Sequence, residues 1–509
     1  MKPVVMPIAF RVDASLRIGT GHFMRCLALA DALKSRGAQV RFVSRHIPGH
    51  MREMLASKGH ELAPLNSTPR DEGEDKIPHS RWLGASQATD AHDTIQVLSD
   101  KTWEWLVVDQ YALDARWESV LRKAVKRILV IDDLADRIHD CDVLLDQNFY
   151  QDQNTRYAGK VSPHCQLLIG PRYALLREEF CRMRGQINPR TGSVKRILVF
   201  WGGVDPYNYT ARTIEALANI ASHDLHVDVV IGSQHPHREQ IELACASHAY
   251  VCHVQTNRMA ELMASADLAV GAGGSASWER CCLGLPALAF SMADNQGRLV
   301  ADSAVEGLLY APLAQPDITS CIELHLKALL HNPSLLQLIS RRGWEAVDGR
   351  GVQRVLLAIG CSSIAIREAT QADSDSMFAW RNHSSIRAVS RNSNPIEKST
   401  HEAWFNAVLS DPNRLLLIGE CQGETIGVVR FDVCAGEAEV SMYLVPEYQG
   451  EGLGSDLLLA AEQWLAKYRS DVYSIKAEVL GRNQSSHRLF RAGGYQAGSS
   501  LYYKRAHRL

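Results

Sequence analysis

RIGTGHFMRCLALADAL, residues 17–33, sets two glycines and a histidine directly before an apolar run with helical spacing. The helical pattern extends from about residue 22 to 36, with strand-like runs before it at 4–12 and after it at Ala38–Val43. This is a strand–loop–helix–strand opening. Gly19 and Gly21 at the loop let the backbone approach a ligand closely, and the unpaired N–H groups of a helix start favour an anion there.

The same rhythm returns at Trp105–Val108, Arg127–Ile131 and Cys165–Ile169, which predicts a parallel sheet covered by helices. The polar stretch CRMRGQINPRTGSVK, residues 181–195, carries Pro and Gly and separates this region from a second unit. That unit opens on a strand at Ile197–Trp201 and continues with Leu225–Ile231 and Leu268–Val270, the last running into GAGGSASWERCCLGLP at 271–286. The polar DGRG at 348–351 and the stretch at 360–363 mark another change. The expected organisation is a first domain over 1–185, a second over 186–350, a linker at 351–363 and a third domain over 364–509.

With 509 residues and 46% hydrophobic content, the chain has material for several cores. A net charge of −2 with intermixed signs argues against a broad nucleic-acid or anionic-membrane surface. Twelve scattered cysteines suit a reducing compartment. The opening residues lack a long apolar region with a cleavage site, and no later run is apolar enough to span a membrane, so a cytoplasmic protein is expected.

His22 falls in the first helical turn with Arg25 on the same face, a pairing of base and anion clamp or else a hydrogen-bonded structural histidine. Asp13 reads as an orienter of His22, a ligand of a sugar hydroxyl, or a loop acid. Asp109 and Tyr111 in LVVDQYALD follow a strand and belong to the same sheet edge, as do Asp132 and Asp133, which capping explains nearly as well. In the second unit, Gly202–Gly203 and Gly271–Ser275 expose backbone donors suited to a diphosphate. Glu279 is placed for ribose hydroxyls or stands as a surface helix acid. No metal site is predicted, since Cys-x-x-Cys and His-Glu-x-x-His are absent, and a Walker A loop is absent as well.

RVDASLRIGTGHFMRCLALADAL together with GAGGSASWERCCLGLPALAF resembles the UDP-sugar hydrolases of pseudaminic acid biosynthesis, of glycosyltransferase-B architecture, over about residues 1–350. The resemblance implies an α/β fold with two Rossmann-like domains facing a cleft. His22 would be base or water-positioning residue with Asp13 beside it and Tyr111 near the sugar, while Gly274, Ser275 and Glu279 match the UDP site. Asn295 and Gln296, in MADNQ, would touch the donor, and Gly21, Arg25, Asp109 and Gly203 complete the expected substrate contacts. The implied reaction is attack of water at the anomeric carbon of UDP-2,4-diacetamido-2,4,6-trideoxy-β-L-altropyranose, with inversion.

In the last third, EAEVSMYLVPEYQGEGLGSDLLLAAEQWL (437–465) and NQSSHRLFRAGGY (483–495) resemble the acyl-CoA signature of the GCN5-related N-acetyltransferases. The resemblance implies acetyl-CoA as cosubstrate between splayed strands, with Gln449, Gly450, Gly452 and Gly454 at the pyrophosphate and Asn483 near the pantetheine arm or capping a helix. Glu437 or Glu439 would accept the amine proton. Phe490 stands where many members have the tyrosine that protonates the thiolate, so Tyr443, Tyr502 or Tyr503 would replace it. Glu439 and Tyr502 are the catalytic candidates. One chain would then acetylate a UDP-4-amino sugar and hydrolyse the product, with no nucleic acid, membrane or metal involved. Acylation of a different 4-amino sugar, glycosyl transfer to an acceptor and noncatalytic sensing are the rival readings.

Overall fold

The apolar runs that alternate with helical stretches assemble into two helix-covered parallel sheets, followed by a mixed sheet. The computed structural model describes residues 6–15, 18–66, 77, 79–220, 225–292, 296–313, 315–361, 364–421, 423–449, 453–481, 483–497 and 501–505. The chain divides into two units, Met1–Val355 and Leu356–Leu509. No helix among the described residues is long and apolar enough to cross a membrane.

In the first unit, β1 (Pro7–Val12), β2 (Gln39–Ser44), β3 (Glu61–Pro64), β4 (Trp103–Asp109), β5 (Val125–Ile131), β6 (Val143–Asp146) and β7 (Gln166–Ile169) form a sheet in the order β3-β2-β1-β4-β5-β6-β7. A second sheet of the same unit contains β8 (Arg196–Phe200), β9 (His226–Ile231), β10 (Val251–Val254), β11 (Leu268–Ala272) and β12 (Ala287–Phe290), in the order β10-β9-β8-β11-β12. Every pairing in both is parallel, as expected of Rossmann-like domains. The expected strands are present; β3, β6, β10 and β12, each four residues long, are additions.

The opening helix, Gly21–Ser35, is buried on most of its surface rather than along one stripe, from Phe23 and Arg25 through Cys26–Ala30 to Leu33. Beneath the first sheet lies a dry ion cluster. Asp90 accepts from Arg11 at 2.7 and 3.0 Å, from Arg45 at 3.0 and 3.2 Å and from the Trp117 indole at 3.1 Å. The stretch expected as a linker begins with a helix, Gly351–Ala358. It is anchored because Val352 and Val355 are buried, and because Arg354 donates to Asp348 at 2.7 Å and to the Arg172 carbonyl at 2.6 Å.

The second unit has a sheet in the order β13-β14-β15-β16-β17-β19-β18. Its strands are β13 (Ile364–Glu368), β14 (Arg414–Cys421), β15 (Glu424–Cys434), β16 (Glu437–Leu444), β17 (Ser474–Glu478), β18 (Gln496–Ala497) and β19 (Leu501–Arg505). All neighbours are antiparallel except β16 and β17, which run parallel and pair only over Glu437–Glu439 against Ser474–Lys476. Beyond that point β16 continues for five residues without β17. The Leu453–Tyr468 helix covers one face through Leu457, Leu458, Ala461 and Leu465. Gly419 and Gly427 make this approach feasible, since a Cβ on either would lie 2.2 or 2.4 Å from the Leu457 methyls.

Asp90→Ala strands Arg11 and Arg45 without their shared carboxylate. It is expected to destabilise the first unit by about 3–5 kcal/mol, seen as a lower denaturant midpoint for that unit while the transition of Leu356–Leu509 stays in place.

Candidate functional site

Each parallel sheet has a point where successive connections leave in opposite directions, between β1 and β4 in the first and between β8 and β11 in the second. Ligands of such sheets bind in the crevice at the carboxyl ends of those strands. The loop after β1 folds on itself, with Gly19 N–H donating to the Ser15 carbonyl at 2.8 Å and Gly19 at φ +82°. The helix then begins at Gly21. A Cβ on Gly21 would lie 3.4 Å from Ser275 Oγ, so the start of the first domain's opening helix faces the glycine loop of the second.

Asp109, the last residue of β4, lies beneath His22. The His22 Nδ1 to Asp109 Oδ1 distance is 2.5 Å, and Arg25 grips the same carboxylate through Nε at 2.6 Å and Nη2 at 2.7 Å. The Arg25 Nη2 also approaches His22 Nδ1 at 3.2 Å, but a guanidinium only donates and an ionised Asp109 only accepts. The proton therefore belongs on Nδ1, which donates to Asp109, and the lone pair is on Nε2. Burial alone would raise the Asp109 carboxyl; Arg25 and His22 more than offset it and hold the group well below the usual carboxylate range. The His22 side chain keeps 11% exposure above a fully buried Asp109.

Arg25 reaches a second carboxylate, Asp133, at 3.1 Å. Asp133 also accepts from the Tyr111 hydroxyl and from Asn148 Nδ2 at 3.1 Å, and the Asn148 amide oxygen accepts from the Trp278 indole at 2.9 Å. A chain of hydrogen bonds thus links the opening helix to the Ala276–Cys282 helix of the second sheet. Tyr111 stands edge-on to His22 with ring centroids 4.6 Å apart, and its other side stacks with Trp82 and tilts against His79. Burial, followed by Asp133, pushes the Tyr111 phenol well above its ordinary value.

Two expectations need correction. Asp109, not Asp13, is the carboxylate bonded to His22: Asp13 pairs with Arg11 at 2.8 Å and accepts from Gln110 Nε2 at 2.7 Å and from the Arg45 and His46 amides at 2.7 and 3.0 Å. Its oxygens are consumed in holding the loops after β1, β2 and β4 together. Arg25, with two carboxylates against it and 7% exposure, is a buried brace rather than a clamp for ligand anions.

In the second sheet's crevice, Ser275 is exposed at the start of its helix, and Gly274 faces the Gln296 amide, 3.3 Å from where its Cβ would be. Gln296 is fixed by accepting from the Met292 amide at 3.0 Å. Glu279 is approached by Arg177 at 3.5 Å; burial raises its carboxyl, against the pull of Arg177. Gly203 accepts from Gly232 N–H at 3.1 Å and faces open space. Asn295 lies outside the described residues.

In the second unit, Glu439 lines a cavity of about 400 Å³ together with Asp432, Glu437, Arg414 and Lys476. Gln449 donates to the Leu444 carbonyl at 3.4 Å, Gly454 packs beside Leu489 and Leu444, and Asn483 caps its helix by accepting from the Ser486 amide at 3.1 Å. Gly450 and Gly452 lie outside the described residues. Tyr502 is buried, with its ring stacked on Phe490 at 6.1 Å and its hydroxyl 2.6 Å from His487 Nδ1. His487 Nε2 lies 3.2 Å from the Leu480 carbonyl, which requires a donor, so Nδ1 is the acceptor and Tyr502 donates to it. Tyr443 is on the sheet's other face, and Tyr503 pairs through its backbone with Lys476. Among the described residues, no group of three His, Cys, Asp or Glu side chains is arranged to hold a metal ion.

The chain is 21% identical to an uncharacterized protein of Methanocaldococcus jannaschii, over 96% of this chain and 97% of that one. It is 29% identical to the spore coat polysaccharide biosynthesis protein SpsG of Bacillus subtilis, over 38% of this chain and 58% of that one. A third relative, the UDP-2,4-diacetamido-2,4,6-trideoxy-β-L-altropyranose hydrolase of Campylobacter jejuni, is 28% identical over 34% of this chain and 53% of that one. The chain thus spans little more than half the length of these last two relatives. Among solved structures, the spermidine N-acetyltransferase of Vibrio cholerae matches 28% of this chain and 96% of its own, at 18% identity and a TM-score of 0.27. The acetyltransferase (GNAT) family model matches residues 375–495, and the second unit of the chain is a GNAT acetyltransferase domain.

Proposed function

We propose that the chain is a bifunctional nucleotide-sugar enzyme, whose second unit N-acetylates a UDP-4-amino sugar from acetyl-CoA and whose first unit hydrolyses the acetylated product. The observation that carries the hydrolase reading is the His22–Asp109 pair at 2.5 Å, with Nε2 left as the basic nitrogen, at a switch point facing the Ser275 loop. The likeness to the Campylobacter jejuni enzyme supports UDP-2,4-diacetamido-2,4,6-trideoxy-β-L-altropyranose as the hydrolysed sugar nucleotide.

In this reading His22 Nε2 takes a proton from water as its oxygen bonds to the anomeric carbon. The bond from that carbon to the phosphate oxygen breaks and UDP leaves with the electron pair. Asp109 stabilises the imidazolium, and Arg25 keeps both in place. Tyr111, Trp82 and His79 form an aromatic wall for the sugar. The backbone donors of Gly21, Gly274 and Ser275 face the departing diphosphate, Gly203 borders the same crevice, and Glu279 and Gln296 hold the nucleoside side.

In the second unit, acetyl-CoA lies in the parting between β16 and β17, near Gln449, Gly454 and Asn483. The acceptor ammonium loses a proton to Glu439, its nitrogen bonds to the acetyl carbon, and the carbon–sulfur bond breaks. The departing thiolate gains a proton from the Tyr502–His487 pair, which substitutes for the hydroxyl that Phe490 lacks.

The full chain incubated with the UDP-4-amino sugar and acetyl-CoA is expected to add one acetyl group and then release UDP. If neither occurs by mass spectrometry, the reading fails. His22→Ala is expected to slow UDP release by about 10²–10⁴-fold and leave acetyl transfer unchanged. Asp109→Asn should lower kcat of hydrolysis with little change in KM. Because Asp109 is held well below the usual carboxylate range, its ionised form and its stabilising contribution persist above about pH 4 and are lost only as pH falls through its depressed value. The pH–rate profile of hydrolysis above about pH 4 is therefore expected to carry no limb from this carboxylate. For acetyl transfer, Tyr502→Phe is expected to reduce kcat by about 10²-fold, and adding Phe490→Tyr to that variant to restore most of it.

A further inference from the structure

At one end of the first sheet, the four residues of β7 pair with β6 alone, and Gln166 and Leu167 on it are exposed. A short edge strand held on one side opens readily unless something else fastens it. Where the two strands begin, Gln166 N–H donates to the Asp142 carbonyl at 2.9 Å. On the residues just before these, Cys165 and Cys141, the two Sγ atoms are 3.6 Å apart. Strand pairing thus already holds the two backbones side by side, and the approach to bonding distance, ~2.05 Å, falls to the side chains.

The two thiols are unlike. Cys141 is fully buried in the apolar cluster of Leu106, Leu144 and Tyr157, whereas Cys165 packs against that cluster and is partly exposed. The hydrogen bond between them favours the Cys165 thiolate against the effect of burial, and the same bond, together with burial, keeps the proton on Cys141. The carboxylates of Asp142 and Glu118 oppose ionisation of either sulfur. The outer sulfur is therefore the attacking nucleophile, and the inner one is shielded from everything except its neighbour.

We propose that Cys165 and Cys141 form a thiol–disulfide site, in which Cys165 reacts with a low-molecular-weight disulfide and Cys141 then displaces the adduct, fastening β7 to β6. The inference is independent of the activities proposed above. In the first step Cys165 Sγ bonds to one sulfur of the small disulfide, whose S–S bond breaks and whose other half leaves as a thiolate. In the second, Cys141 Sγ bonds to Cys165 Sγ, the mixed S–S bond breaks, and the second small thiolate leaves. The two protein thiols are oxidised, the small disulfide is reduced to two thiols, and these take the two protons that the protein sulfurs lose. The ring so closed joins residues 24 apart and contains Asn148, Tyr150, Arg156 and Tyr157, which donate to Asp132 or Asp133. The bond thus ties down the segment whose side chains hold those two acids. In a reducing compartment the pair stands as the dithiol and closes when the disulfide pool rises.

The test exposes the folded full-length chain to oxidised glutathione, quenches with acid, alkylates and maps the cysteines by mass spectrometry. The parent is expected to give a peptide joined through Cys141 and Cys165, and Cys141→Ser to stop at a glutathione adduct on Cys165. Should a buried serine unfold the cluster, Cys141→Ala serves in its place. In Cys165→Ser the adduct on Cys141 is expected to form about 100-fold more slowly than the adduct on Cys165 does. Oxidation of the parent should slow amide exchange over Gln166–Ile169 by about 10- to 100-fold, with no such change in Cys165→Ser and none in the Leu356–Leu509 unit. An adduct on Cys165 that never gives way to the joined peptide in the parent, or a link confined to other cysteines such as Cys245 and Cys252, would overturn the site. Reaction of Cys141 in Cys165→Ser as fast as that of Cys165 would overturn the order of attack.

Discussion

The arrangement at the first sheet's switch point depends on one buried cation. Arg25 carries a full charge at 7% exposure, and its desolvation is tolerated only because Asp109 and Asp133 both face it. Each carboxylate then uses its remaining valence on a side chain of the crevice, Asp109 on His22 and Asp133 on Tyr111. Imidazole tautomer, ring orientation and the edge-on contact between His22 and Tyr111 therefore follow from the charge balance of a residue that itself has little access to a ligand.

That balance extends across the first unit. Asp133 is bound by Asn148, and Asn148 by Trp278, a fully buried side chain of the second sheet's glycine-loop helix. With Gly21 facing Ser275, and Asn148 joining Asp133 to Trp278, the two switch points lie against each other.

The parallel architecture was legible because strands such as WEWLVVD and VKRILVI carry the continuous apolar runs Trp105–Val108 and Ile128–Ile131 between helix-length segments. Four of the five strands of four residues were not: ELAP ends in proline, and ALAF merges into the glycine motif before it. The histidine, its arginine and the glycine loops stood out by local pattern. Which acid serves the histidine did not, since Asp13 and Asp109 both close a sheet strand and differ only in distant partners. Arg11, two residues before Asp13 on the same face of β1, already claims it. Asn148, Trp278 and Arg177 act through contacts more than a hundred positions away in sequence, and no local signal marks them.

The second unit shows the same dependence of chemistry on packing. Gly419 and Gly427 clear space for Leu457, which draws the Leu453–Tyr468 helix onto one face, while the other carries a second apolar cluster around Phe405, Leu416 and Ile418. Short pairing between β16 and β17 parts the sheet just past Glu439. Phe490 sits 5.0 Å from Tyr495 and 6.1 Å from Tyr502 in an apolar cluster, so the aromatic ring there serves packing. A phenol at Tyr502 already held by His487 keeps its proton in a defined place, whereas a hydroxyl at 490 would need a partner inside that cluster. A hydroxyl at 490 would thus add a buried donor to a cluster in which the neighbouring Tyr495 and Tyr502 hydroxyls already have partners, Glu462 at 2.8 Å and His487 at 2.6 Å.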